Sequence, residues 1–214
     1  KYWIHNGLIK VNGQKMSKSL GNSLLLCDLL EKYSPEVIKF ALLQTNYRGD
    51  INVTDSLFPE AEKHMLGFYR VLADAKRAGA ALDGVCAEID RGFDSAMDDD
   101  FNTAKALADL FGIFKSAAAK LREGDVKGAN DILGQTVKTY SLLGLFVSSP
   151  EEFVADYEKK HGSAAPENVL ALVKKRAEAK AAKDWATADA IRAELLGMGW
   201  AVKDTKDGPV PEKL

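Results

Sequence analysis

The chain has 214 residues, 46% apolar and 28% charged, with a formal net charge of −2. That balance fits an ordinary globular protein of one large or two small domains. It excludes a membrane-spanning helix, since no apolar run approaches the ~20 residues such a helix needs. It also excludes a protein that coats nucleic acid through bulk positive charge, though it leaves room for a local basic face.

In chain order, Asn6-Gly7 separates an aromatic stretch from a short β-rich one, and Val11-Asn12-Gly13-Gln14 forms a turn. Residues 24–30 predict a short helix. Ser34 as N-cap and Pro35 at the first helical position open the next, with Val37, Ile38, Ala41 and Leu42 on its buried face. Residues 46–52 form a polar connection holding Tyr47, Arg48 and Asp50. Thr54 caps a long helix to about residue 78, with Pro59 the discordant member of its first turns. Ala61, Met65, Phe68, Leu72 and Ala75 recur there at helical spacing.

A helix over 85–97 follows. Then come two amphipathic stripes, Ala104, Leu107, Ala108, Phe111, Phe114, Ala118 and Leu121, and Val126, Ala129, Ile132, Leu133, Val137, Tyr140 and Leu143. Four helices with short turns predict an antiparallel bundle. Ser149-Pro150-Glu151-Glu152 has capping-box form and starts a helix to about residue 160. Residues 161–166 are the expected linker. Segments 167–182 and 185–198 form a helical hairpin, the second helix capped by Asp184 and stopped by Gly199. Residues 200–202 are an expected strand, Asp207-Gly208 a hairpin turn, and 209–214 a frayed end. The fold class expected is mainly α: a short β/α connector (1–53), a helical bundle (54–160) and a small α/β terminal module (161–214). Cys27 and Cys86 have no metal-ligand spacing and are expected as buried free thiols in a reducing cytoplasm.

The stretch richest in chemistry is Lys15-Met16-Ser17-Lys18-Ser19, lying between Gly13 and Gly21. Lysine ammonium groups suit phosphate oxygens, and serine hydroxyls and loop N–H groups add neutral donors. The plain alternative is a surface loop with solvated lysines. The run Asp98-Asp99-Asp100 with Asn102 places negative charge and a capping oxygen before a helix N-terminus. In the terminal hairpin Arg176, Lys180, Lys183 and Arg192 surround Trp185, with Asp184, Asp189 and Asp204 as acceptors. Cations suit phosphates, and an exposed indole stacks on unpaired bases. Equally, Trp185, Ala188, Ile191, Leu195 and Met198 share one helix face, which would make Trp185 a core residue.

The five letters at 15–19 spell the KMSKS signature of class I aminoacyl-tRNA synthetases. The flanks Tyr2-Trp3-Ile4-His5-Asn6-Gly7 and Ser19-Leu20-Gly21-Asn22 resemble cysteinyl-tRNA synthetases. So does Ala96-Met97-Asp98-Asp99-Asp100-Phe101-Asn102-Thr103. Lys183-Asp184-Trp185, Ala188-Asp189, Ile191-Arg192, Asp204-Thr205 and Gly208 are similar to that family's anticodon-recognition module. The matches run in family order along nearly the whole chain.

The resemblance implies that residues 15–19 bind ATP with its Mg, with Lys15 and Lys18 as catalytic cations and Lys18 in the main role. It implies tRNA-binding roles for Arg176, Lys180, Lys183, Trp185, Asp189, Arg192 and Asp204, and tRNA(Cys) as partner. It further implies a cytoplasmic monomer in which this chain is the C-terminal part of a longer polypeptide, joined to an upstream catalytic domain. The family's HIGH motif and zinc ligands have no counterpart here, so no metal site is assigned. This segment alone is not expected to activate cysteine, and its 15–19 loop is expected to be poorly ordered in isolation. Lys180 stands where the family commonly has arginine, and Pro209-Val210-Pro211 replaces the usual tryptophan and basic residues. Two other readings are the related cysteine ligase of mycothiol synthesis, which needs no anticodon module, and a non-catalytic tRNA- or protein-binding helical module.

Overall fold

The computed structural model describes residues 1–161, 166–182, 184–205 and 208–213. Within them it leaves out the side chains of Lys18, Glu167, Ala181, residues 203–205, and residues 208, 210, 212 and 213. Two compact units result, Lys1–Ala155 and Asp156–Leu214.

The first unit opens with a three-stranded sheet in the order β2-β1-β3, made of β1 (Ile9–Val11), β2 (Gln14–Lys15) and β3 (Ile51–Val53). The β1–β2 hairpin pairs Lys10 with Lys15 and Val11 with Gln14. Its two-residue turn places Asn12 at φ 49° and Gly13 at φ 81°. That double left-handed conformation matches strand twist and favours Asn-Gly. β3 runs parallel to β1, with Ile9 opposite Ile51. A parallel pair needs a crossover, and here α1 (Leu26–Lys32) and α2 (Pro35–Leu43) lie within it. Ser34 caps α2 as expected, its hydroxyl accepting from the Val37 N–H at 3.3 Å.

The bundle consists of α3 (Leu57–Arg77), α4 (Ala87–Asp98), α5 (Thr103–Arg122) and α6 (Val126–Tyr140). Thr54 does not cap α3. The helix starts at Leu57, and the Thr54 hydroxyl meets that of Ser56 at 3.3 Å instead. Pro59 then falls in the first turn, where N–H groups have no intrahelical acceptor, so its missing donor costs nothing.

Phe68 centres the core. It stacks on Phe114 at 4.6 Å and meets Phe40 and Phe111 edge-on at 6.0 and 5.2 Å. The buried face of α5 is Ala106, Leu107, Leu110, Phe114 and Ala117. The stripe is therefore rotated from the expected one, leaving Ala108 and Phe111 exposed. α5 has neighbours on several sides, α3, α4 and α6, so its small residues are drawn to the close contacts. α6 buries polar groups that periodicity missed. Gln135 Nε2 donates to Asp90 Oδ1 at 2.8 Å, and the Thr139 hydroxyl also donates to Asp90.

Cys27 is exposed and Cys86 half-buried, which corrects the expectation of two buried thiols. Cys27 sits on α1, a helix with no buried residue. Burial pushes the Cys86 thiol up, with a smaller contribution from its hydrogen bond to Glu88. The chain leaves the bundle through α7 (Pro150–His161), begun by Ser149 as its capping-box form predicts.

The second unit holds α8 (Glu167–Ala181), α9 (Trp185–Gly197), β4 (Trp200–Thr205) and β5 (Gly208–Lys213). Val169, Val173, Ile191, Leu195 and Trp200 form its core. Asp184 caps α9, its carboxylate accepting from the Thr187 N–H at 3.1 Å. Gly199 ends the helix at φ 79°. Residues 209–213, expected frayed, are paired as β5, with Pro209 opposite Asp204 and Pro211 opposite Val202. Prolines are tolerated at sheet edges, and in a two-stranded sheet both strands are edges. The expected turn at Asp207-Gly208 and most of the 161–166 linker lie outside the described residues.

Candidate functional site

The β1–β2 hairpin delivers Lys15, exposed, at the end of β2. A 3₁₀ turn over Lys18–Leu20 follows. Met16 and Ser17 are half-buried and Ser19 is exposed. The side chain of Lys18 lies outside the described residues. Asn22 staples the segment, its side-chain oxygen accepting from the Ser17 N–H at 2.9 Å and its amide donating to the Lys15 carbonyl at 3.3 Å. The Met16 N–H donates to the Ile9 carbonyl at 3.2 Å, holding the segment to β1. Such bracing keeps the loop backbone shaped while Lys15 projects into solvent. An ammonium held this way can contact phosphate oxygens without first giving up a protein carboxylate, since no ion pair joins Lys15 among the described residues.

Behind the hairpin, residues 46–50 grip the incoming chain. The Gly7 N–H donates to the Tyr47 carbonyl at 2.7 Å and the Leu8 N–H to Asp50 Oδ1 at 2.8 Å. A Cβ on Gly7 would lie 2.1 Å from the Gly49 oxygen, so only glycine permits this approach. Lys10 pairs with Asp50 at 2.8 Å, and that bond, followed by the one from Leu8, holds the Asp50 carboxyl below its ordinary range.

The acidic run resolves into three different roles. Asp98 ends α4, Asp99 accepts from the Asn102 amide at 3.0 Å, and Asn102 caps α5 through the Lys105 N–H. Asp100 turns to the connector. Arg48 Nε donates to its Oδ2 at 2.6 Å, Arg48 Nη2 to Oδ1 at 3.1 Å, and the Tyr47 hydroxyl to Oδ1 at 2.8 Å. These bonds, Arg48 first and Tyr47 second, hold the Asp100 carboxyl down, and the bond to Asp100 raises the Tyr47 phenol. Asp100 and Phe101 stand at φ 52° and 53°, consecutive left-handed residues without glycine, a costly conformation for L side chains. Residues 46–52 and 98–100 are far apart in the chain, and nothing in their spacing joins them.

In the terminal unit, Trp185 is 60% exposed, so it stands outside the core that Ala188, Ile191 and Leu195 enter. Trp185, Asp189 and Arg192 are all exposed and follow at i, i+4 and i+7, one ridge of α9. Arg176 is buried at 8% exposure on α8, and Lys180 is half-buried. Lys183 and the side chain of Asp204 lie outside the described residues. Among the described residues no group of three or more His, Cys, Asp or Glu side chains could hold a metal, and no helix is long and apolar enough to cross a membrane.

Residues 1–63 match the family profile described as tRNA synthetases class I (C) catalytic domain. Residues 92–147 match the DALR domain, and residues 163–208 the cysteinyl-tRNA ligase anticodon binding domain. With the braced KMSKS hairpin, these matches define a segment of a class I aminoacyl-tRNA synthetase. Among curated relatives, the cysteine–tRNA ligase of Pseudomonas aeruginosa (strain LESB58) is 40% identical over 209 residues, covering 97% of this chain and 44% of that protein. That of Nitratidesulfovibrio vulgaris (strain DP4) is 37% identical over 235 residues, covering 100% of this chain and 48% of its own. That of Laribacter hongkongensis (strain HLHK9) is 37% identical over 207 residues, with 97% and 44% covered. The chain belongs to the cysteinyl-tRNA synthetase family, corresponding to its C-terminal portion. It spans about half the length of the curated relatives it matches.

Proposed function

We propose that this chain supplies the ATP-closing loop and the tRNA-binding modules of a cysteine–tRNA ligase. The observation that carries the proposal is the hairpin bearing residues 15–19, braced by Asn22 and leaving Lys15 exposed. In the reaction proposed, the cysteine carboxylate attacks the α-phosphate of ATP, cysteinyl-adenylate forms and pyrophosphate departs. Negative charge builds on the α-phosphate and the leaving group. Lys15 and Lys18, placed where that charge develops, stabilise the transition state more than the ground state. Loss of one such donor costs roughly 3 kcal/mol of transition-state stabilisation. Met16, Ser17 and Ser19 shape the loop and add neutral donors.

The second step moves cysteine to the terminal ribose of tRNA(Cys). The helical bundle docks the tRNA, and residues 161–214 read the anticodon. The α9 ridge of Trp185, Asp189 and Arg192 supplies a stacking plane, an acceptor and a cation. Lys180, Lys183, Arg176 and Asp204 complete this set, Arg176 from a buried position on α8. Bound Mg enters with ATP as part of that substrate. The zinc that would select the cysteine thiolate has no fitting ligand group among the described residues, so no step is derived through it. The expected setting is a cytoplasmic monomer, with the domain limits 1–53, 54–160 and 161–214.

The test is charging of tRNA(Cys) by the complete ligase, using native and anticodon-substituted tRNA. The expected result is cysteine-specific charging that falls when the anticodon is changed. Equal charging of both tRNAs would contradict the anticodon role.

A further inference from the structure

We infer that Asp100 is a positioning residue for the Lys15–Lys18 hairpin, acting from the bundle through Tyr47 and Arg48; this rests on the proposed function above. Asp100 stands at the corner between α4 and α5, 85 positions along the chain from Lys15, yet it is joined to the hairpin by a short series of contacts. Its carboxylate takes three hydrogen bonds, two from the Arg48 fork and one from the Tyr47 hydroxyl. The Tyr47 carbonyl accepts from Gly7, and Asp50 accepts from both Leu8 and Lys10. Gly7 and Leu8 lead directly into β1, whose Ile9 carbonyl accepts from Met16 inside the lysine segment. On the other strand, Asn52 Oδ1 accepts from the Gly13 N–H at 2.8 Å, at the hairpin turn itself.

Two further contacts fasten the same corner. Tyr47 and Phe101 meet edge-on at 6.5 Å, and the Thr103 hydroxyl donates to the Leu43 carbonyl at 2.8 Å, tying the start of α5 to the end of α2. Between these ties lies an apolar pocket of about 410 Å³, lined by Ile4, Ile9, Leu43, Tyr47, Ile51 and Phe101. The recess is apolar, and the polar contacts across it orient the corner. Arg48 and Asp100 are 65% and 49% exposed, so their pairing contributes little to stability. What a bidentate fork does supply is orientation. The left-handed pair Asp100-Phe101 is the conformation that aims this carboxylate at Arg48. Catalytic cations must be held within a fraction of an ångström by supporting contacts, and Asp100 anchors the support to the bundle.

The test uses the complete ligase with Asp100→Asn, Arg48→Met, Arg48→Lys and the double variant Asp100→Asn/Arg48→Met. Cysteine-dependent ATP–pyrophosphate exchange reads the first step. The expected result is a roughly tenfold fall in kcat for Asp100→Asn and Arg48→Met, with KM for cysteine held within about twofold. The double variant should lose no more than the worse single one, and Arg48→Lys should be intermediate because it keeps the charge without the fork. Thermal melts within a few degrees of wild type accompany this result. A kcat within about twofold of wild type in Asp100→Asn would overturn the inference, as would losses that multiply in the double variant. Either outcome leaves the proposed function standing if the wild-type ligase charges tRNA(Cys). A wild-type ligase inactive with cysteine would overturn both.

Discussion

Glu36 of α2 and Tyr69 of α3 share a buried hydrogen bond, the phenol hydroxyl donating to Oε2 at 2.7 Å with Glu36 2% and Tyr69 0% exposed. Ser148 completes the site, its N–H and hydroxyl both donating to Glu36 Oε1, at 2.9 and 2.6 Å. Three donors therefore satisfy one carboxylate at the meeting of the connector, the bundle and the segment before α7. Removing one leaves a buried acceptor short. Tyr69→Phe should destabilise by about 1–3 kcal/mol in urea unfolding, and Glu36→Leu should cost more, because it leaves the Tyr69 hydroxyl and both Ser148 donors without their acceptor. A Tyr69→Phe variant as stable as wild type would show that the bond adds nothing.

The same pair gives an alkaline signature. Burial first, then the bond to Glu36, pushes the Tyr69 phenol well above its usual value of 10.0. Burial raises Tyr140 likewise. The unfolded chain loses these protons near pH 10 and the folded one does not. Their contribution to stability is therefore complete below about pH 10 and is lost as pH rises above it. Melting temperature should fall more steeply between about pH 9.5 and pH 11 in wild type than in Tyr69→Phe. Parallel curves would contradict this.

Glycine positions offer a paired comparison. A Cβ on Gly134 of α6 would lie 2.4 Å from the Gly84 nitrogen, with no flexible side chain to yield. Gly112, within α5, has nothing within 4 Å. Gly134→Ala should destabilise by roughly 1–3 kcal/mol through forced backbone movement. Gly112→Ala should stabilise by up to about 1 kcal/mol, because alanine is the better helix former. Thermal unfolding of both variants checks the order, and a neutral Gly134→Ala would disprove the tight α6 contact.

Asn22 bridges the lysine segment through its backbone, bonding the Ser17 N–H and the Lys15 carbonyl. Asn22→Ala should raise hydrogen exchange at the Ser17 amide by roughly tenfold, the equivalent of one lost hydrogen bond, while the bundle amides stay unchanged. ATP–pyrophosphate exchange by the complete ligase should fall with it. Unchanged protection at Ser17 would remove Asn22 from the account.

Trp185 separates packing from recognition. At 60% exposure, replacing it with alanine should change stability by no more than about 0.5 kcal/mol. The same change should weaken tRNA binding by the chain, because base stacking would be lost. Unaltered tRNA affinity would return Trp185 to an ordinary surface position.

Much of this architecture was legible from local signals. Ser34-Pro35, Asn102, Asp184 and Gly199 each act within a few residues, and each lies where its chemistry predicted. Residues 15–19 stand out in the sequence because five letters and their flanks form one local pattern. What local patterns do not carry is lateral packing. The α5 stripe was rotated by its several helix neighbours, and Gln135 and Thr139 are buried because Asp90 on α4 meets them. The pairing of β5 was hidden because its prolines argue against a strand until the two-stranded edge is known. The Arg48–Asp100 contact joins residues 52 apart, beyond any spacing rule.

Cysteine-dependent ATP–pyrophosphate exchange by the complete ligase carrying Lys18→Ala tests the role of residues 15–19. The expected result is a fall in kcat of about 10²-fold or more with cysteine KM little changed, because the ammonium acts on charge that develops only in the transition state. Exchange at the wild-type rate would contradict the assignment of residues 15–19 as the ATP-closing loop.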